Sequence, residues 1–170
     1  MGRVLEAPAT RGTHVSAHHD HRACTDAVLV AAHEAAIARG VRLTDLRAEV
    51  LGIVAQSHKA IGAYEILERM QKARRQEKPV APPTVYRALE FLAEQGFVHR
   101  INSLNAFVAC YAAGEKHRGM FLICESCGTV AELADPDVDN AIAQAVRTAG
   151  YQASHEMIEI TGICPSCKGI

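Results

Sequence analysis

Four cysteines near the end of the chain form two Cys-x-x-Cys pairs, Cys124 with Cys127 and Cys164 with Cys167. Each pair places two thiolates on one tight turn, which suits adjacent corners of a tetrahedral zinc site. Two pairs complete a four-sulfur site with no open position, so we expect a metal there to be structural rather than catalytic. The spacer is longer than in compact zinc motifs, and it has room for a strand, a helix and a strand.

Other interpretations of these thiols are two disulfides, idle thiols or a redox dithiol. The first residues lack the apolar core of a signal peptide, and no stretch is long and apolar enough to cross a bilayer. We therefore expect a cytoplasmic protein, in which thiols stay reduced and clustered cysteines favour metal. Cys24 stands alone near a predicted helix start and is left out of this interpretation.

A second set of possible ligands has mixed chemistry: His99, Cys110, His117 and Glu132. Each of them alone is as easily an ordinary surface or strand residue. Together they bracket the boundary between the two halves of the chain. One thiolate in the set favours zinc over iron(II) or manganese, which prefer harder ligands. The spacing predicts a second site only weakly.

The elements that must position these residues start with helices. Apolar periodicity predicts helices over 25–39, from Thr44 onward and from Ala63 onward, and a charged loop over 71–81. The pair Pro82-Pro83 announces a fourth helix that Gly96 ends. Its exposed Arg87 could contact a guanine edge or be an ordinary solvated residue.

Two β-rich runs at 97–101 and 106–110 follow and predict a hairpin. Helices followed by a hairpin are typical of a winged helix-turn-helix. Strands at 120–123, 129–133 and 154–163, with a helix from Asp135 to about Gly150, predict a small antiparallel sheet with one helix. Such a sheet cannot bury both faces alone, so we expect a homodimer.

The fold class is therefore α+β, with an N-terminal winged helix-turn-helix domain and a small C-terminal α/β dimerisation domain. The predicted boundaries are 1–23 for a mobile His-rich tail, 24–110 for the winged helix, 111–119 for a linker and 120–170 for dimerisation and zinc binding. Residues 1–105 hold 14 Lys and Arg against 11 Asp and Glu, whereas 106–170 hold 4 against 8. A basic front half fits a nucleic-acid module ahead of an acidic one. The histidines of the tail are either a weak metal site or incidental.

Three motifs then resemble the ferric uptake regulator family, and within it the zinc uptake regulator branch. They are Pro-Pro-Thr-Val-Tyr-Arg-Ala-Leu at 82–89, Gln-Gly-Phe-Val-His-Arg at 95–100, and Phe-Leu-Ile-Cys at 121–124 with Cys-Gly at 127–128. The resemblance covers residues from about 24 to 167. It implies a dimeric, zinc-responsive repressor of zinc uptake genes that binds palindromic double-stranded operator DNA.

The resemblance also implies roles for single residues. Two zinc ions per chain are expected, one structural at the four cysteines and one regulatory at His99, Cys110, His117 and Glu132. Arg87 and Tyr64 match residues that read bases, while Tyr86 matches an aromatic residue beside the DNA backbone, and Thr84 lies in the same motif. No enzymatic activity and no small-molecule substrate are implied.

One departure separates the chain from other members of the family. Iron-sensing members carry a His-His-Asp-His run before the first cysteine pair, and Lys116-His117-Arg118-Gly119 stands here instead. This disfavours an iron or peroxide sensor, and the alternative within the family is an iron-, manganese- or peroxide-responsive regulator. A zinc-dependent enzyme and a zinc-ribbon interaction module are the competing classes. The first lacks the His-x-Glu pairing of zinc deaminases, and the second leaves the winged helix without a purpose.

Overall fold

Four helices and a hairpin form the first half of the molecule. The computed structural model describes residues 21–74, 79–111, 119–154 and 156–169. The helices are α1 (His21–Ala38), α2 (Asp45–Val54), α3 (Ala63–Ala73) and α4 (Pro82–Glu94). The Thr44 side chain accepts a hydrogen bond from the Arg47 backbone N–H and caps α2, as predicted. The start of α1 lies four residues earlier than predicted, and α3 extends into the segment predicted as loop.

The buried faces of these helices meet in one core. Prolines occupy the first turn of α4, and Gly96 adopts the positive φ of 68° that lets the chain turn away after it. Burying a large aliphatic side chain contributes about 1.5–3 kcal/mol, so this core holds α3 and α4 together. Its fully buried members, at most 1% exposed, include Val50, Leu51, Val54, Ile66, Met70, Val85, Leu89 and Leu92.

The predicted hairpin consists of β1 (Val98–Ile101) and β2 (Ala106–Ala109), antiparallel with Val98 opposite Ala109. Side chains alternate across a strand. One face carries Val98 and Phe107 into the helical core, and the other carries Ile101 and Val108 into a second apolar cluster. The four-helix domain with this hairpin is the expected winged helix, and β1 and β2 form its wing.

The second domain contains β3 (Gly119–Cys124), β4 (Val130–Glu132), α5 (Pro136–Thr148), β5 (Met157–Gly162) and the short α6 (Pro165–Lys168). Its sheet has the order β4-β3-β5. The predicted antiparallel pairing is present between β3 and β4, whereas β5 pairs with β3 in parallel, which the sequence did not predict. The chain leaves β4 beside the start of β3, where the Leu133 N–H donates to the Met120 carbonyl at 2.8 Å. After α5 it returns to that same end of the sheet on the other side of β3, where Met157 pairs with Gly119, so β5 runs in the same direction as β3.

The two faces of this sheet have different surroundings. Phe121, Ile123 and Val130 pack against Ile101 and Val108 of the wing, so one face is covered within the chain. The opposite face is open, with Leu122 40% and Ile160 48% exposed. The amphipathic α5 also has no buried residue, which leaves its apolar side chains only partly covered in the single chain.

The loop between α2 and α3 joins the two domains. Lys59 pairs with Thr129 and Ile61 pairs with Phe107 in isolated antiparallel bridges. The backbone N–H of Val130 donates to the carbonyl of His58 at 2.8 Å. Backbone hydrogen bonds therefore connect the helical domain both to its own wing and to the second sheet.

None of the described helices is long and apolar enough to cross a membrane.

Candidate metal centres and nucleic-acid interface

The thiol cluster, formed by Cys124, Cys127, Cys164 and Cys167, is brought together by β3 and β5. The sulfur atoms all lie within 4.8 Å of one another. The parallel pairing places Cys124 opposite Gly162, and the Glu125 N–H donates to the Gly162 carbonyl at 2.9 Å. Because Gly162 lies two residues before Cys164, the hydrogen bonding between β3 and β5 sets the two Cys-x-x-Cys motifs side by side. The predicted four-sulfur arrangement is what the structure contains.

Each cysteine pair is a tight turn. In the first, the Gly128 N–H donates to the Cys124 carbonyl at 2.9 Å, with Gly128 at a φ of 73° that favours glycine. In the second, Cys164 is the residue preceding α6, and the Cys167 N–H donates to its carbonyl at 3.0 Å. The short α6 was not predicted, and it exists because the second pair closes into one helical turn.

Backbone N–H groups prepare Cys124 to ionise. Hydrogen bonds from the backbone N–H groups of Cys127 and Cys164 lower the pKa of Cys124 to about 6, and the Cys164 nitrogen lies 3.3 Å from the Cys124 sulfur. A hydrogen bond with the Thr129 hydroxyl, 3.2 Å from the Cys127 sulfur, lowers the pKa of Cys127. Thr129 was missed by the sequence reasoning, which looked for metal ligands and not for the residues that hydrogen-bond to them.

Crowding has the opposite effect on the fourth thiol. A hydrogen bond from Ser126 lowers the pKa of Cys167, but the neighbouring thiols of Cys164 and Cys127 raise it by more, to about 11. The fourth thiol therefore ionises readily only beside a cation, and zinc deprotonates the thiols that bind it. The sulfurs of Cys127 and Cys164 are 3.8 Å apart and all six cysteines are free, whereas a disulfide needs about 2.05 Å. The donor set fits zinc.

The junction cluster, formed by His99, Cys110 and Glu132, lies where the wing meets the second sheet. One ligand atom of each residue lies within 4.8 Å of the others. The Nε2 of His99 is 3.6 Å from Oε1 of Glu132, and Cys110 is fully buried. The structure thus brings together three of the four residues predicted for the second site. The fourth, His117, lies outside the described residues.

The two wing strands β1 and β2 and the neighbouring strand β3 position the junction cluster. Val108 is the register partner of His99, so both side chains point to the same side of the wing, and Cys110 follows on that side two residues later. The Cys110 N–H donates to the Phe97 carbonyl at 3.0 Å, which keeps Cys110 beside the hairpin. The Phe121 ring lies against the His99 imidazole, with 5.0 Å between ring centroids. A nitrogen, a sulfur and an oxygen donor suit zinc with one further ligand.

The predicted DNA-contacting residues share the surface formed by the starts of α3 and α4. Tyr64 is 73% exposed and Tyr86 is 42% exposed. Their rings meet edge to face with 6.4 Å between centroids. Arg87 is exposed on α4, and Thr84 is half-buried one turn earlier. The structure therefore places Tyr64 and Tyr86 in contact with each other, with Arg87 exposed next to Tyr86 in the sequence of α4.

Comparison with known proteins gives consistent matches. The model of the ferric uptake regulator family matches residues 38–161. The zinc uptake regulation protein of Escherichia coli (strain K12) is 38% identical over 144 residues, 84% of this chain and 82% of that protein. That of Mycobacterium tuberculosis (strain ATCC 25618 / H37Rv) is 28% identical over 131 residues, 77% of this chain and 98% of that protein.

Two solved structures match at similar levels. A zinc uptake regulator complexed with zinc and DNA has a TM-score of 0.76 at 37% identity and covers 85% of this chain and 95% of that chain. Holo XcZur has a TM-score of 0.72 at 40% identity and covers 86% of this chain and 97% of that chain. With the family model matching most of its length, the chain belongs to the ferric uptake regulator family.

Proposed function

We propose that this protein is a zinc-sensing transcriptional repressor that binds operator DNA as a homodimer and controls zinc uptake genes. The observation that carries the proposal is the position of the junction cluster. His99 and Cys110 belong to the winged helix, whereas Glu132 belongs to the second domain, and their ligand atoms lie within 4.8 Å of one another. A ligand that holds this set together also holds the two domains together.

Two zinc sites per chain follow from the two clusters. A zinc ion at the junction cluster would supply one positive charge centre shared by donors from both domains. His99 and Cys110 would bind it from the wing, Glu132 from β4, and His117 as the fourth ligand. All four sulfurs of the thiol cluster belong to the second domain. A zinc ion bound there would hold β3 and β5 together and would be structural. A mixed donor set binds more weakly than four thiolates and exchanges metal more readily.

The sensing mechanism is a change in how freely the winged helix moves relative to the second domain. Without metal, the junction residues of the wing can separate from Glu132. A ligand changes such an equilibrium only through its different affinity for the two states. The separated state has no complete donor set, so zinc favours the joined state. A coupling of about 1–3 kcal/mol would raise DNA affinity about 5- to 150-fold.

The dimer is proposed from the uncovered surface of the second domain. Leu122 and Ile160 form an open apolar sheet face, and Val138 of α5 is 36% exposed. A second copy would cover these side chains and place two winged helices symmetrically. A twofold protein reads a palindromic operator, with one reading helix for each half-site. Arg87 would contact a guanine edge, and Tyr64, Tyr86 and Thr84 would contact neighbouring bases or the backbone.

Zinc is favoured over iron and manganese by the Cys110 thiol, because iron(II) and manganese prefer harder ligands. The relative that is 38% identical over 84% of this chain is a zinc uptake regulation protein, and one matching solved structure is a zinc uptake regulator with zinc and DNA. A regulator of this kind works in the compartment that contains the DNA, so we place it in the cytoplasm.

We assign the protein no enzymatic activity. The limits 1–23, 24–110, 111–119 and 120–170, predicted from the sequence, remain our proposed domain boundaries.

Native mass spectrometry of the full chain tests the two-site model. Zinc per chain is counted before and after mild chelation in wild type, Cys110→Ser and His117→Ala. The exposed His33 on α1 gives the matched control His33→Ala. We expect two zinc ions in wild type and His33→Ala, one of them removed by the chelator, and only the resistant one in Cys110→Ser and His117→Ala. A single resistant zinc in every protein would overturn the sensing site.

DNA binding is tested with a duplex selected from a random library by the zinc-loaded protein. Fluorescence anisotropy then compares wild type and Cys110→Ser with and without zinc. We expect zinc to increase the affinity of wild type by tens-of-fold and to leave Cys110→Ser almost unchanged, although this variant remains a folded dimer. Equal zinc responses in the two proteins would contradict the mechanism.

A further inference from the structure

The carboxylate of Glu159 on β5 holds the turn at the tip of the wing. This wing turn comprises residues 102–105 between β1 and β2. The backbone N–H of Asn102 donates to Oε1 of Glu159 at 2.6 Å, and the N–H of Ser103 donates to Oε2 at 3.0 Å. Both carboxylate oxygens are thus used, and 57 and 56 residues of chain separate the partners.

The wing turn is suited to this contact because the N–H groups of Asn102 and Ser103 lie beyond the last hydrogen-bonded pair of the hairpin and are not used by it. The last ladder pair is Ile101 with Ala106, so Asn102 and Ser103 follow the end of the strand. The turn itself is closed by the Asn105 N–H, which donates to the Asn102 carbonyl at 3.2 Å. An ionised acceptor makes hydrogen bonds roughly twice as strong as neutral ones. The carboxylate therefore stabilises a specific position of the turn.

Apolar contacts surround this pair of hydrogen bonds. Met157 lies two residues before Glu159 on the same face of β5, and it packs against the cluster that includes Ile101. The Nδ2 of Asn102 lies 3.2 Å from the Met157 sulfur. The end of the wing is thus attached to β5, while His99 and Cys110, nearer its base, face Glu132 on β4. Two edge strands of one sheet contact two different parts of the wing.

We propose that Glu159 is a positioning residue that joins the wing to the second domain without metal and favours the arrangement in which the junction ligands meet. The role of this arrangement in zinc sensing rests on the proposed function. Two interactions that stabilise one state strengthen each other, and the coupling is reciprocal. Glu159 is not a zinc ligand, yet its loss should weaken zinc binding at the junction. Zinc binding should in turn make the wing turn less mobile.

The variants test the donor and the acceptor separately. Glu159→Gln keeps the shape of the side chain and removes its charge and one acceptor. Ser103→Pro removes one N–H, and proline is favoured at the second position of such a turn. Ser103→Ala keeps that N–H and removes only the hydroxyl, so the difference between the two serine variants reports the N–H. Glu94→Gln, at an exposed position on α4, is the control for the loss of a charge.

The first measurement is amide hydrogen exchange of residues 102–105 by NMR in the full chain with the junction zinc removed and the thiol-cluster zinc retained. We expect exchange at Asn102 to be about fivefold faster in Glu159→Gln and in Ser103→Pro than in wild type or Glu94→Gln. Ser103→Ala should lie between. Combining Glu159→Gln with Ser103→Pro should speed exchange at Asn102 by less than the product of the two single effects, because both substitutions act on the same contact. Unchanged exchange in Glu159→Gln would overturn the proposal.

The second measurement is zinc affinity of the junction site by competition with a chromophoric chelator. We expect Glu159→Gln to bind zinc about fivefold more weakly than Glu94→Gln. Equal affinities would refute the link to zinc sensing. If wild type itself had no chelator-labile zinc, the proposed function would fail, while the exchange measurement would still decide whether Glu159 holds the wing turn.

Discussion

Glu132 and Glu159 lie at the same level of the second sheet, because both are register partners of Phe121 on the central strand β3. Neighbouring strands are about 4.8 Å apart, so the two glutamate backbones are separated by roughly 10 Å. Both carboxylates contact the wing, one near His99 and the other at the wing turn. Phe121, which also contacts the His99 ring, therefore fixes the spacing of two acidic contacts to one hairpin.

Cys124→Ser should lose the zinc of the thiol cluster together with the fold of the second domain. The apparent binding free energy of structural zinc is about 10–16 kcal/mol, comparable to or larger than the stability of a typical domain. Native mass spectrometry and thermal unfolding followed by circular dichroism measure both losses. Cys24→Ser is the matched control, because Cys24 lies on α1 outside both clusters. A Cys124→Ser dimer that melts like the control would contradict a structural role.

Arg87→Ala should bind the selected operator more weakly while its fold stays intact, because the side chain is exposed. Loss of a bidentate contact to guanine costs about 1–3 kcal/mol, or about 5- to 150-fold in affinity. Binding to an unrelated duplex should change much less. Anisotropy titrations at one fixed salt concentration measure both. Arg147→Ala, on exposed α5, is the control, and equal weakening on both duplexes would assign Arg87 to the phosphate backbone.

Ile160→Glu should convert the dimer to a monomer. Ile160 lies on the open sheet face and is 48% exposed in the single chain, so a charge there would be buried without a partner in the proposed dimer. Sedimentation velocity measures the oligomeric state. Val30→Glu, at a 58% exposed position on α1, is the matched control. If the variant retained its structural zinc and remained a dimer, the dimer interface would lie elsewhere.

Local patterns in the sequence predicted the helices α1 to α5 and both cysteine pairs. Thr44 caps a helix, Pro82 begins one and Gly96 ends one through interactions within a few residues, so short windows contain the necessary information. The four thiols were predictable for the same reason, because each pair is a local turn. The junction residues His99, Cys110 and Glu132 come from distant segments, and spacing alone supported them only weakly until the family resemblance was added.

Non-local backbone contacts were not predictable. The parallel pairing of β3 with β5 depends on where α5 returns the chain, and periodicity within β5 does not contain that information. The role of Glu159 was missed because its partners are backbone N–H groups of Asn102 and Ser103, which any residue type except proline can supply. One signal was present in the sequence: Glu159 lies two residues after Met157, on the same face of a strand whose other residues are mostly apolar. Such a charge on an inward-facing position indicates a specific partner.

The effect of Glu159 on zinc binding should not depend on pH between 6 and 8. Partial burial raises the pKa of Glu159, but hydrogen bonds from Ser103 and Asn102 lower it by more, so it lies below its usual value. A carboxyl whose pKa is lowered in the folded state contributes stability above its unfolded pKa of about 4.3, and that stability is lost only as the pH falls through the folded value. The carboxylate is therefore fully ionised throughout this range.

Other charged groups near Glu159 do not alter this expectation. On the strands packed there, Arg100 is hydrogen-bonded to the side chain of Asn105, while His99 and Glu132 belong to the zinc site of wild type and variant alike. Zinc affinity itself should fall with acidification in both proteins, because His99 and Cys110 must lose protons to bind metal. The ratio of wild-type to Glu159→Gln affinity, measured by chelator competition at pH 6, 7 and 8, should stay near fivefold. A ratio that approaches one at pH 6 would mean that a histidine, and not the Glu159 carboxylate, controls the position of the wing.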